Sequence, residues 1–451
     1  MQITVEDIIN NTSAKLLNGN KNIIINECFV DSNKVEKDSC FFGIKGDNTD
    51  GSLFYKEAIL NGANVLILSK RKDYNFNGYE HITILIADDT KKVLQELAAY
   101  KRSLFKGIVI GITGSVGKTN TKELVSNILR QNYKVLSTEG NQNSQIGMPL
   151  TILKLKDEDI MVLEMGMSNL GDIHKLSLIA KPDISVITNI YSSHIKNLKT
   201  NDNILKAKLE IIDGMNENGI LILNNDNEYL EKLNINKNLN IFTYGINNKS
   251  NIMPTNIRKI NNNILFSIGD IDNFKVIGSN DLIYNVLPSY LIAKLLGVSR
   301  SMIKNGINDI PNINRRLNLI ELNHNIKIID DTYNASYESI KVALDYLNTY
   351  DLKKVFIVGD ILELGNKSKY IHKQVGDLVK KYNINKLITV GKYSKIIGKR
   401  NKKIWLKHIK KESDFKLIIS KIIEENTIYL VKGSNGINMK NIVTYLKEGS
   451  F

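Results

Sequence analysis

Cysteine, proline and long apolar runs are what this 451-residue chain has least of. Its two cysteines, Cys28 and Cys40, are too few for a disulfide framework and stand in no metal-ligand spacing. Five prolines exclude a collagen. The longest apolar runs, 82–87 and 107–111, fall far short of the ~18 residues a membrane helix needs. The first ten residues hold two acids and no basic cluster, so no secretory leader is expected. A reducing cytoplasm is the compartment these absences imply. What remains is ordinary for a folded protein: 42% apolar and 24% charged residues. At ~150 residues per domain, the length predicts two or three domains.

The charge is uneven. Lys and Arg number 61 against 47 Asp and Glu, a net +14. Residues 351–451 alone hold 22 basic and 9 acidic residues, so nearly all the excess lies there. Such a surface attracts anions, nucleotides included. No RRM, KH or zinc-finger pattern accompanies it, and lysine is abundant throughout, so no nucleic acid is expected as a partner.

Short apolar runs alternate with amphipathic stretches. Strands are predicted at 65–68, 82–87, 107–112, 160–163, 184–188 and 220–223, and helices at 90–102 and 118–131. A second series has strands at 326–329, 354–358, 387–390 and 427–431, with helices at 336–347, 367–381 and 438–446. This rhythm predicts α/β architecture with parallel sheets, whose buried strands read as continuous apolar runs. Residues 250–274, rich in Asn and Ile, suggest small β excursions, and 311–314 a linker. The expected domains are 1–104, 105–311 and 312–451.

The strongest motif is Gly111-Ile-Thr-Gly114-Ser115-Val116-Gly117-Lys118-Thr119. It follows a predicted strand and opens a predicted helix. Glycines let backbone N–H groups face a phosphate, and the helix N-terminus adds positive potential. Lys118 is placed to reach the β- and γ-phosphates of a nucleotide, and Thr119 to ligate Mg²⁺. The first glycine stands one residue early, so the loop is a variant. Such a loop needs an acid at the end of a later strand to hold the metal. Glu164, closing the apolar run 161–163, is that acid. His194 follows the 184–188 strand, and Lys208 lies on an amphipathic helix. Taken singly, these two read as an ordinary loop histidine and a surface lysine.

Together these residues resemble the ATP-dependent Mur ligases of peptidoglycan synthesis. Thr113–Thr119 is similar to that family's phosphate loop, and 139–149 to its Asn-rich segment. Glu164-Met-Gly, His194, Ala207-Lys208-Leu-Glu210, Arg316-Leu-Asn and Asp330-Asp331-Thr-Tyr333-Asn334-Ala also match. Tyr-Asn-Ala, Gly359-Asp360-Ile-Leu-Glu363-Leu-Gly365 with His372, and Val431-Lys432-Gly-Ser434 resemble the branch that adds D-alanyl-D-alanine.

The resemblance implies three domains: an N-terminal UDP-sugar domain, a central P-loop ATPase and a C-terminal Rossmann-like domain. It implies an ADP-forming ligase that uses ATP and two Mg²⁺ ions. ATP contacts fall to Gly114, Ser115, Val116, Gly117, Lys118, Thr119, Asn285, Arg316 and Asp331. Metal contacts fall to Thr119, Glu164, His194 and a carbamylated Lys208, with Lys118, His194 and Lys208 as the catalytic set. Substrate contacts fall to Ser32, Asn141, Asn143, Tyr333 and Asn334. The implied partners are a UDP-muramyl-peptide and D-alanyl-D-alanine, acting on a monomer. The chain departs from the family at Asn33 and Asn435, both in place of Arg, at 278–285, and at Lys440 in place of Glu. Two other readings fit the same residues: a paralogue acting on another acid and amine, or a nucleotide-dependent binding protein without ligase activity.

Overall fold

The computed structural model describes residues 2–70, 73–192, 195–260, 263–277, 279–309 and 314–449. Both His194 and the predicted linker, apart from Asn314, lie outside them.

Three sheets organise the chain. The first has five strands in the order Lys15–Asn18, Thr83–Ala87, Ala63–Ser69, Ser39–Phe42 and Cys28–Phe29. Its pairings are parallel except at Lys15–Asn18. Helix Thr90–Leu104 covers one face with Val93, Leu94 and Leu97, which are fully buried. Asp89 caps this helix by accepting from the Lys92 N–H, and Lys101 and Arg102 complement its C-terminal end.

The central sheet has six parallel strands: Asn240–Tyr244, Ile220–Asn224, Ile184–Ile187, Ile108–Thr113, Ile160–Glu164 and Val135–Ser137. The inner four are apolar and buried on both faces, as parallel strands under helices must be. Strand Ile108–Thr113 lies mid-sheet, between Ile184–Ile187 and Ile160–Glu164. The chain enters Ile108–Thr113 and pairs on either side with strands that come later in sequence. Their C-terminal ends therefore open a crevice, where α/β sheets bind ligands. The expected β excursion is a three-stranded antiparallel sheet, Pro254–Ile260, Asn263–Ile268 and Ile271–Ile277. It packs with helices Ile283–Leu295 and Arg300–Asn308 over the central sheet.

The third sheet runs Asn318–Leu322, Ile326–Asp331, Thr427–Lys432, Lys353–Gly359, Lys386–Val390 and Trp405–Ile409. Its first pairing is antiparallel and the others parallel. The two edge strands, Asn318–Leu322 and Trp405–Ile409, had no apolar run to announce them. Edge positions need less burial, and polar residues suit them. One apolar cluster joins this domain to the central one through Ile195, Leu198, Ile361 and Leu364.

Candidate active site

The central crevice is a cleft of about 1180 Å³, lined by residues from all three sheets' domains. Lys91 comes from the first, the phosphate loop and Glu164 from the second, and Arg316 and Tyr333 from the third.

The loop is built from the strand outward. Thr113 ends Ile108–Thr113 and anchors to the Met165 carbonyl through its hydroxyl at 2.9 Å. Gly114 (φ 149°) then passes so close to Thr188 that a Cβ there would lie 1.8 Å from Thr188 Oγ1. Asn189 grips the next two residues. Its carbonyl accepts the Ser115 N–H at 3.0 Å, and its side-chain oxygen accepts the Val116 N–H at 2.9 Å. Those two amides are thus held inside the protein, against the expectation that they face a phosphate. Gly117, left-handed at φ 85°, turns the chain into helix Lys118–Leu129. The helix N-terminus faces the cleft with its unpaired N–H groups.

Charge in the cleft is arranged around one carboxylate. Glu164 ends strand Ile160–Glu164 and is 2% exposed. Thr119 Oγ1 donates to it at 2.9 Å and Asn143 Nδ2 at 2.7 Å. Lys118 folds back, its Nζ donating to the Gly114 carbonyl at 2.8 Å. Removal from water lowers the proton affinity of Lys118; Glu164 opposes this and Arg316 adds to it. Lys208, on helix Asn201–Leu209, is 2% exposed. Burial pushes its ammonium well below the ordinary lysine range, the positive Lys118 pushes the same way, and Glu164 opposes them.

Arg316 enters from the C-terminal domain. Its Nη2 lies 3.4 Å from Thr119 Oγ1, and its guanidinium stacks 3.9 Å above the Tyr333 ring. Its Nε is buried with no hydrogen-bond partner.

Of the residues singled out in sequence, Ser115, Val116, Gly117, Lys118, Thr119, Glu164 and Lys208 line this cleft. So do Asn141, Asn143, Arg316, Tyr333 and Asn334. Gly114 sits beneath the loop against Thr188. Asn285 lies behind Gly117, accepting from Thr121 Oγ1 at 3.3 Å. Asp331 is turned inward, paired with Lys432. Ser32 does not line this cleft and donates to Glu57 Oε2 at 2.7 Å within the first domain. Sequence reading missed Asn189, because its contacts run to backbone groups that no side-chain pattern records.

The donor set suits Mg²⁺. A threonine hydroxyl and a carboxylate already 2.9 Å apart are hard oxygens. No group of three or more His, Cys, Asp or Glu gathers among the described residues. Mg²⁺ bound by one or two protein oxygens plus substrate phosphates and water matches such a site.

Comparison with known proteins gives three family matches in chain order. Residues 25–102 match the Mur ligase family catalytic domain, 112–293 the Mur ligase middle domain, and 315–435 the Mur ligase glutamate ligase domain. The chain is 31% identical to the UDP-N-acetylmuramoyl-tripeptide–D-alanyl-D-alanine ligase of Bacillus subtilis, over 99% of this chain and 98% of that one. It is 30% identical to the Escherichia coli enzyme of the same name, over 96% and 97%. Among solved structures, MurF from Acinetobacter baumannii superposes with a TM-score of 0.87 at 26% identity, covering 99% of both chains. MurF from Thermotoga maritima in complex with ADP gives 0.80 at 27% identity, over 94% and 97%.

Proposed function

Since the chain belongs to the Mur ligase family, we propose that it joins D-alanyl-D-alanine to a UDP-N-acetylmuramoyl-tripeptide in peptidoglycan synthesis, converting ATP to ADP and phosphate. The observation that carries this reading is the cleft that sets Lys118, Thr119, Glu164, Lys208 and Arg316 around one crevice.

A carboxylate is a poor acylating agent. Transfer of the γ-phosphoryl group from ATP to the tripeptide carboxylate yields an acyl phosphate and ADP. The neutral amine of D-alanyl-D-alanine then attacks the acyl carbon. The tetrahedral intermediate collapses to an amide and inorganic phosphate. Carboxylate and triphosphate repel each other, so the first step needs positive charge fixed between them. Lys118 and Arg316 supply it from opposite domains. Thr119 and Glu164 would hold Mg²⁺, which neutralises phosphate charge and aligns the reacting oxygens. Asn143 and Thr119 hold the Glu164 carboxylate in place. Tyr333, stacked under Arg316, and Asn334 line the same cleft and are assigned to substrate contact.

Lys208 is suited to carbamylation. Depressing the proton affinity of Lys208 favours its neutral amine, the form that adds CO₂. The product is an anion with oxygen donors in place of a cation that would repel a metal. His194, beyond the described residues, is proposed as a further metal contact. We place the domains at 1–104, 105–311 and 312–451, and the enzyme in the cytoplasm as a monomer. No described helix is long and apolar enough to cross a membrane.

The deciding experiment is ADP release with UDP-muramyl-tripeptide and D-alanyl-D-alanine. Turnover is expected only with both present. Release that ignores either one would defeat the proposal.

A further inference from the structure

Arg316 reaches the phosphate loop from a turn that the backbone disfavours. Arg315 (φ 63°) and Leu317 (φ 49°), on either side of it, both occupy the left-handed region. Side-chain-bearing residues rarely stay there unless their surroundings over-determine them. Neither position holds the glycine or asparagine that would relieve it.

The surroundings that fix this turn are few and identifiable. The Leu317 N–H donates to Asp331 Oδ1 at 3.3 Å. The Tyr333 N–H donates to the Arg315 carbonyl at 3.2 Å. The Arg315 guanidinium donates to the Thr332 carbonyl at 2.6 Å and to Thr332 Oγ1 at 3.1 Å. Apart from Asn435 Oδ1, which also accepts from the Arg315 guanidinium at 2.8 Å, these partners lie in the segment 331–333, at the end of strand Ile326–Asp331. That segment is in turn tied to strand Thr427–Lys432. Lys432 Nζ donates to Asp331 Oδ2, and also to the Asn334 carbonyl at 3.1 Å. Asp331 and Lys432 are 5% and 1% exposed.

A buried ion pair is weak evidence of stabilisation, since desolvation offsets the Coulomb attraction. This one does something more specific. Asp331 is divided between a strand and a strained turn, and it does not line the cleft. We propose that the buried Asp331–Lys432 pair is a positioning device for Arg316, holding the 315–317 turn left-handed so that the guanidinium faces Thr119 and the nucleotide phosphates. The proposal rests on the reading of Arg316 as a phosphate contact.

The geometry explains why such a device is useful. The Arg316 guanidinium is stacked on Tyr333, and its Nε has no partner within the protein. A donor fixed in advance stabilises developing charge without reorganising at the moment of reaction. Release of the Leu317 N–H would let the turn relax toward right-handed backbone and carry the guanidinium off the loop. The rival role for Asp331, a hydrogen bond to the nucleotide ribose, would use the acceptor sites that its two oxygens keep beside the contacts to Leu317 and Lys432.

The test is a double-mutant cycle. Asp331→Asn keeps the shape, but its amide group must face either the Lys432 ammonium or the Leu317 N–H, donor against donor. Lys432→Met removes the cation. Each is expected to lower kcat about tenfold or more with KM for ATP near the wild-type value. In an Arg316→Ala background, each should cost less than about twofold further. If Asp331→Asn raises KM for ATP, and that effect vanishes with 2′- or 3′-deoxy-ATP, Asp331 serves the ribose and the proposal is overturned. Effects that multiply onto Arg316→Ala overturn it as well, while leaving the reading of Arg316 intact. Wild-type turnover by Arg316→Ala would remove that reading itself. If the buried variants do not fold, Leu317→Val opposes the left-handed turn with the ion pair unbroken, because a β-branched residue is strained at positive φ. It should lower kcat in the wild-type background and not in Arg316→Ala.

Discussion

Replacing Asn143 with Ala isolates the support given to the metal-side carboxylate. Glu164 is buried and takes two side-chain hydrogen bonds, at 2.9 Å from Thr119 and 2.7 Å from Asn143. Removing a hydrogen bond to a charged group costs about 1.5–3 kcal/mol. Asn143 borders the open cleft, so water can enter the space left behind and recover part of the loss. The lower end of the range therefore applies, which is about a tenfold fall in kcat. The Mg²⁺ concentration for half-maximal rate should rise, while KM for D-alanyl-D-alanine stays unchanged. The melting temperature should fall by no more than about 2–4 °C. The assay is steady-state phosphate release across a Mg²⁺ titration. A kcat within about twofold of wild type, with an unaltered Mg²⁺ requirement, would refute the reasoning. Gly166→Ala approaches the same contact from below. Its Cβ would lie 2.8 Å from Asn143 Oδ1, so it should reproduce the Mg²⁺ phenotype without touching Asn143 chemically.

Lys118→Met should lower kcat by on the order of 10²–10³ while leaving the melting temperature intact, because its amine serves phosphate charge. Measurable turnover near wild type would contradict the loop's role. Gly114→Ala would place a Cβ 1.8 Å from Thr188 Oγ1 at φ 149°, so nucleotide binding, followed by calorimetry, should be lost. His372 is fully buried; its Nε2 accepts the Ile361 N–H at 3.1 Å and its Nδ1 meets the Ser368 carbonyl at 2.7 Å. Burial lowers its proton affinity, so below its ordinary value of 6.5 the unfolded chain takes up a proton that the folded one resists. Stability should fall as pH drops through that window, by at most about 1.4 kcal/mol per unit. His372→Gln should flatten that slope in urea titrations, and an unchanged slope would show that the acid sensitivity lies elsewhere.

The α/β alternation was readable because buried parallel strands are continuous apolar runs. Predicted strand 160–163 is Ile160–Glu164, and predicted helix 118–131 is Lys118–Leu129. Val135–Ser137, Asn318–Leu322 and Trp405–Ile409 escaped notice because they are short or polar at sheet edges. In the site, Lys118, Thr119 and Glu164 were legible from glycine spacing and a strand-terminal acid. The burial of Lys208 was invisible, since its helix has an unremarkable amphipathic pattern and the neighbours that enclose it come from elsewhere. Asp331 shows the opposite failure. Its motif was plain, but its partner Lys432 lies 101 positions away, and only the sheet brings them together.

Asn189 leaves the phosphate loop folded before any nucleotide arrives. With the Ser115 and Val116 amides already engaged, the loop has little freedom to surrender on binding, and its entropic penalty falls mostly outside it. Across the seam between the central and C-terminal domains, the Lys196 N–H meets the Glu363 carbonyl at 3.0 Å and Lys341 meets Asp281 at 2.9 Å, beside the buried contact of Ile195 and Leu198 with Ile361 and Leu364. A cradle already stiff before binding spares the nucleotide the cost of ordering it.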